Sequence, residues 1–71
     1  MTRMYCSPFD QRLAYIIQRD GYVELELYAN GLDAEVSYHD TIGEAAEYML
    51  RRAPGLERDH EYERRWRNRC R

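Results

Sequence analysis

The sequence predicts an α+β domain: a three-stranded antiparallel β-meander packed on one α-helix, followed by an Arg-rich C-terminal helix or tail. Three observations predict it. Apolar and polar residues alternate from Val23 to Tyr38 and are interrupted by Asn30-Gly31, a dipeptide that supplies the positive-φ residues of a type I′ hairpin turn. Thr41 and Glu44 form a capping box ahead of apolar residues at helical spacing. The chain has 71 residues, enough for one domain and one small core. On this reading 1–71 is a single unit, with the meander at 12–39, the helix at 41–53 and the tail at 56–71.

The first strand runs from about Leu13 to Arg19 and reaches the second through Asp20-Gly21, another hairpin-type dipeptide. Read as a two-residue loop, it places Ala14, Ile16 and Gln18 on the core face and Leu13, Tyr15 and Ile17 on the opposite one. A strand apolar on both sides is expected to lie centrally or to be partly covered on each face. Asn30-Gly31, also read as a two-residue loop, sets Ala29 opposite Leu32, Leu27 opposite Ala34, Leu25 opposite Val36 and Val23 opposite Tyr38, all facing the core. The other face then pairs Tyr28 with Asp33, Glu26 with Glu35, Glu24 with Ser37 and Tyr22 with His39. A change of one residue in either loop exchanges the two faces.

Thr41 is the expected N-cap of the helix. Ile42, Ala45, Ala46, Met49 and Ala53 form its apolar stripe, with Leu50 beside it. Glu44, Glu47, Arg51 and Arg52 point outward, acids early and bases late, as the helix dipole favours. Pro54-Gly55 ends the helix. In the tail Tyr62, Trp66 and Cys70 recur every fourth residue, and Glu61 with Arg65 and Glu63 with Arg67 are acid-to-base pairs at the same spacing.

The net charge of −2 conceals a split. Residues 1–50 carry three Arg against nine acids, a balance of −6, and residues 51–71 carry eight Arg against four acids, a balance of +4; no Lys occurs. Such asymmetry speaks about partners more than about fold. Cys6 and Cys70 stand near the two ends, which leaves open a single disulfide or two free thiols in a reducing compartment. The N-terminus has no apolar signal-peptide region, and the longest apolar run, Leu13 to Ile17, is far shorter than a membrane span. A cytoplasmic protein with no membrane association follows as the expectation.

Catalytic and metal chemistry find no support. His39, His60, Cys6 and Cys70 lack paired ligand spacing, and Arg64 stands where a zincin would place its second His. Ser7 and Ser37 lie in no nucleophile-elbow context, and the glycines are isolated turn or helix-related residues. Neither an enzyme nor a bound cofactor is expected.

Two constellations remain. Glu24, Glu26, Asp33 and Glu35, flanked by Tyr22 and Tyr28, would share one sheet face, with Glu26 directly opposed to Glu35. Like charges opposed across strands destabilise a hairpin, so the arrangement reads either as an acidic surface for a cationic groove or as an ordinary solvated sheet face. Arg64, Arg65, Arg67, Arg69 and Arg71 surround Trp66, a grouping that can hold phosphates and stack bases. Acids mixed into the same segment, and the acidic domain before it, argue instead for a solvated helix or a tail folded on the acidic sheet. The chain has seven Tyr, one Phe and one Trp. Tyr15, Tyr22 and Tyr28 fit an exposed aromatic surface, whereas Tyr38 and Tyr48 fit structural positions. A homodimer burying the second sheet face or the Tyr62/Trp66 edge is a further possibility beside a monomer.

Two resemblances bear on these features. The stretch from Ala14 to Ala53, with Asp20-Gly21-Tyr22 after the first strand and Asp40-Thr41-Ile42-Gly43-Glu44-Ala45 opening the helix, resembles the β-β-β-α core of HicB-type antitoxins. Where that family carries a Pro-Asp-Leu-Pro-Gly-Cys-like segment, this chain has Asn30-Gly31. In overall character the whole chain, a tiny, Tyr-rich, acidic-faced domain without catalytic residues, is similar to the phage-encoded anti-CRISPR proteins. That resemblance implies a viral inhibitor of a nucleic-acid-handling effector complex in the bacterial cytoplasm. It would bind through Tyr22, Glu24, Glu26, Tyr28, Asp33 and Glu35 by DNA mimicry, with Arg64, Arg65, Trp66 and Arg67 as a secondary contact. The antitoxin resemblance implies instead a regulator that uses the Arg-rich tail, and deletion of 57–71 in a gel-shift assay separates the two.

Overall fold

Alternation builds a larger sheet than the meander. A computed structural model describes residues 2–28, 34–61, 63 and 64. The elements follow in the order β1 (Thr2–Cys6), β2 (Leu13–Gln18), β3 (Val23–Tyr28), β4 (Glu35–His39), α1 (Ile42–Arg52) and β5 (Glu57–Arg58). The strands form one antiparallel sheet in the spatial order β4-β3-β2-β1-β5. The fold class is α+β, and the sheet has five strands where three were expected. The two additional strands are β1, ahead of the expected meander, and the two-residue β5, beyond the helix. In β1 the inward position 3 is an Arg, which breaks the apolar alternation that would otherwise mark Thr2–Cys6 as a strand.

β2 sits at the centre of the sheet, which explains its apolar residues on both sides. Its pairing with β3 places Ala14 opposite Leu27, Ile16 opposite Leu25 and Gln18 opposite Val23, the register expected for a two-residue Asp20-Gly21 loop. The loop closes with the Arg19 N–H donating to the Tyr22 carbonyl at 2.9 Å. Gly21 has φ +85°, a conformation that a side chain would strain.

The β3–β4 register differs from expectation by one residue. Leu27 faces Glu35, Glu26 faces Val36, Leu25 faces Ser37, Glu24 faces Tyr38 and Val23 faces His39. The residues numbered 28–34 separate Leu27 from its partner, one more than a two-residue Asn30-Gly31 turn allows. All β4 side chains therefore exchange faces. Val36 and Tyr38, expected in the core, are 47% and 64% exposed, and Glu35 lies on the helix side. The helix explains the choice. Its apolar stripe covers β2 and β3, and its polar flank lies over β4. There the Tyr48 hydroxyl donates to Glu35 Oε1 at 2.8 Å and Arg52 Nη2 to Glu35 Oε2 at 2.9 Å. The His39 ring lies 5.1 Å from that of Tyr48. A polar β4 inner face is what that flank can satisfy.

The helix begins as the capping box predicts, with the Glu44 N–H donating to Thr41 Oγ1 at 3.1 Å. The reciprocal bond runs from the Asp40 N–H to Glu44 Oε2 at 3.4 Å, one residue outside the usual position. The helix stops at Ala53, whose N–H reaches the Met49 carbonyl at 2.7 Å, and the chain turns through Gly55 at φ +93°. Thr41→Ala should lower stability by about 1 kcal/mol, read as a shift of the urea midpoint at unchanged slope; no shift would show that the cap contributes nothing.

Ala45, Met49 and Ala53 of the helix region close over Ala14, Ile16, Val23, Leu25 and Leu27, with Tyr5 and Leu56 completing the buried cluster. Leu50 is exposed. Gln18, although on the core face, is exposed at the sheet margin, where its amide donates to the carbonyls of Arg19 and Tyr22.

The segment expected to begin a helical tail instead supplies β5, with Tyr5 opposite Arg58 and Cys6 opposite Glu57. Asp59 N–H continues the pairing to the Met4 carbonyl at 2.8 Å. Residues 60–61 and 63–64 are helical, and they bring Glu63 back to the β1 edge. Glu63 is buried, accepts from the Met4 N–H at 3.3 Å, and holds Arg58 in a bidentate ion pair at 2.8 and 3.0 Å. The remainder of the expected tail, including Arg65, Trp66, Arg67 and Cys70, lies outside the described residues, as do Asn30-Gly31, Asp33 and Tyr62.

Candidate interaction surface

The pleat sends alternate residues of each strand away from the helix. On this outer face β1 contributes Thr2, Met4 and Cys6, β2 Leu13, Tyr15 and Ile17, β3 Glu24, Glu26 and Tyr28, and β4 Val36 and Tyr38. No second helix covers the face among the described residues. Its surface is more aromatic and apolar than the sequence reading proposed, because the β4 register replaces Glu35 and Ser37 with Val36 and Tyr38.

Two aromatic pairs frame it. Tyr15 and Tyr28 meet edge to face with ring centroids 5.9 Å apart, and Tyr22 and Tyr38 do so at 5.7 Å. Edge-to-face geometry sets the positive rim of one ring against the negative face of the other and holds both pairs in place on the sheet. Glu24 and Glu26 stand between them, both half-buried. Arg19 Nη2 lies 3.5 Å from Glu24 Oε2, and the Tyr28 hydroxyl donates to Glu26 Oε1 at 2.8 Å. That hydrogen bond, followed by partial burial, raises the Tyr28 phenol above its ordinary range. The face thus carries a pair of anchored carboxylates in an aromatic frame.

Of the site residues read from the sequence, Tyr22, Glu24, Glu26 and Tyr28 are together here. Glu35 is not: it points to the opposite side, and Glu26 faces Val36 in its place. The like-charge opposition expected between Glu26 and Glu35 is therefore absent. Glu35 serves the fold instead, its carboxyl held below the usual range by the Arg52 guanidinium and then by the Tyr48 hydroxyl. Arg64 is exposed. Tyr38 and Val36 were missed as surface residues, and the parity of the β3–β4 connection is the one feature that would have identified them.

Ser37 Oγ and His39 Nε2 are hydrogen-bonded at 2.9 Å on the helix side of β4. No third group completes a catalytic arrangement with them in the described contacts. Among the described residues no group of His, Cys, Asp or Glu is placed to hold a metal ion, and no helix is long and apolar enough to cross a membrane. Compared with known proteins, the chain matches no family model, no curated protein and no solved structure.

Proposed function

We propose that this protein is a non-catalytic inhibitor of the anti-CRISPR kind, which docks its outer sheet face on a protein of a nucleic-acid-handling bacterial defence complex. The observation that carries the reading is the arrangement on the sheet face away from α1, with Tyr15, Tyr22, Tyr28 and Tyr38 around Glu24 and Glu26. Tyrosines offer large contact area at low entropic cost and are enriched at protein interfaces. Two carboxylates in such a frame favour a cationic partner surface and accelerate the encounter with it. The contact is therefore one of aromatic anchoring with electrostatic steering, and less a phosphate-like array than four clustered acids would have made.

Pull-down from a bacterial lysate with mass spectrometry identifies the partner, and titration of that partner tests the face. Tyr38→Ala should weaken binding about tenfold or more, as loss of an aromatic anchor does. Reversing both Glu24 and Glu26 to Arg should weaken it further and flatten its salt dependence, with the far-ultraviolet circular dichroism unchanged. Affinity that is unaltered in both variants at low and high salt would remove this face from the interaction.

A further inference from the structure

We propose that β4 is a self-pairing edge: two copies of this chain join antiparallel through β4, centred on Ser37, to give one continuous sheet with five strands from each copy. The inference is independent of the inhibitor reading and rests on the backbone and the order of five side chains.

β4 is the terminal strand of the sheet, with β3 on its other side. The Arg19 to Tyr22 bond marks those two residues as a hydrogen-bonded pair. Antiparallel ladders alternate hydrogen-bonded and non-bonded pairs. Tyr22, Glu24 and Glu26 therefore direct their backbone groups toward β2, and Val23, Leu25 and Leu27 direct theirs toward β4. Their partners His39, Ser37 and Glu35 face back toward β3. The N–H and C=O groups of Val36 and Tyr38 consequently point away from the sheet, along the edge that no other described strand covers. Natural edge strands are commonly guarded by Lys, Pro or a bulge. The sequence Glu-Val-Ser-Tyr-His has neither Lys nor Pro, its ladder with β3 runs without a bulge, and its one inward-facing carboxylate, Glu35, is already paired with Arg52.

The same five residues are complementary to themselves in reverse. About a two-fold axis through Ser37, Val36 faces Tyr38 of the second copy, Glu35 faces His39, and Ser37 faces Ser37. Val36 and Tyr38, the residues with outward backbone groups, then form the hydrogen-bonded pairs on both sides of the axis. An aromatic with a β-branched residue is a favourable cross-strand pair, and no like charges meet. Centring on Val36 or on Tyr38 preserves the backbone geometry but shortens the overlap and replaces these pairs with Ala34 opposite Tyr38 or Val36 opposite Asp40. A two-fold contact of this kind is closed, so it yields a dimer and not a fibre. It also buries part of the exposed Val36 and Tyr38 side chains and joins the outer faces of the two copies. A single strand pair is a small interface, which places the dimer in the weak class.

Sedimentation equilibrium of the full chain across a concentration series up to about 1 mM, within the range of weak association, should show the mass rising from 8.6 kDa toward twice that value. Amide exchange at Val36 and Tyr38 should slow in step with the dimer fraction. In a mixture of labelled and unlabelled chains, an intermolecular Hα–Hα contact should connect the two Ser37 residues. Val36→Pro removes one outward donor without touching the β3 ladder and should abolish the mass increase while the circular dichroism stays native. A chain that remains monomeric, or a dimer in which the Val36 and Tyr38 amides exchange freely, overturns the proposal. These readouts on the unmodified chain decide it even if the proline variant fails to fold.

Discussion

Glu63→Ala should destabilise the fold by about 1.5–3 kcal/mol, the range for a hydrogen bond that involves a charged group. The side chain closes three connections at the end of the described chain: the bidentate pair with Arg58, the bond from the Met4 N–H, and a 3.9 Å approach of His60. Its removal leaves the Met4 N–H without its acceptor and Arg58 without its counter-ion. Arg58 retains 30% side-chain exposure, so water compensates part of the loss and the cost stays below the roughly 3–5 kcal/mol of a fully buried pair. The pH dependence gives a second measurement. Burial pushes the Glu63 carboxyl up, but the Arg58 hydrogen bonds and charge, with the Met4 N–H, outweigh it and hold the group below its ordinary value of 4.5. A carboxyl depressed in the folded state contributes stability above its unfolded value, and that contribution disappears as pH falls through the folded value. Asp10 and Glu35 are depressed in the same direction, Asp10 by its hydrogen bonds with Arg12 and Glu35 by those with Arg52 and Tyr48. The folded protein should therefore lose stability progressively below about pH 5, and Glu63→Gln should lose less over that interval. Parallel loss in both proteins, followed by urea denaturation at each pH, would show that Glu63 is not linked to the acid transition.

The structure separates what local chemistry can specify from what depends on counting across a loop. The Asp20-Gly21 loop has two residues and a glycine at positive φ, so turn type and register are tied together and the β2–β3 pairing follows from sequence alone. The helix start is equally local, because Thr41 and Glu44 lie within one turn of each other. The β3–β4 pairing is different. Its alternation is compatible with either register, and one additional residue in the connection decides which face Glu35 occupies. Tertiary demand settles it: Tyr48 and Arg52 provide partners for a carboxylate on the helix side, a relation thirteen and seventeen residues away in sequence. β1 and β5 were hidden for another reason. Each is an edge or near-edge strand with Arg on its inner side, and β5 has two residues only, too short for any periodicity to show. The site inherited both effects. Tyr22, Glu24, Glu26 and Tyr28 lie on one strand or its margin and were found together, whereas Glu35, Val36 and Tyr38 depended on the register.

Leu25→Ala and Val36→Ser should differ sharply, and the difference measures that register directly. Leu25 is fully buried between Ile16 and Ser37 and faces the helix. Truncating a leucine in such a place costs about 2–5 kcal/mol, transfer and cavity together. A core of this size supplies only roughly 3–5 kcal/mol of net stability, so the variant should be largely unfolded at room temperature or should melt at least about 8 °C lower. Val36 is half exposed on the outer face, opposite Glu26. Its replacement by serine gives up little buried area and should cost under about 1 kcal/mol. Under the two-residue Asn30-Gly31 turn the two side chains would oppose one another beneath the helix, both substitutions would be severe, and the double variant would show strong coupling. Under the observed pairing Leu25 belongs to the core and Val36 to the outer face of the sheet. Thermal and urea unfolding of both variants, at low micromolar concentration where β4 self-pairing contributes nothing, distinguishes the arrangements: comparable destabilisation at both positions would refute the observed register.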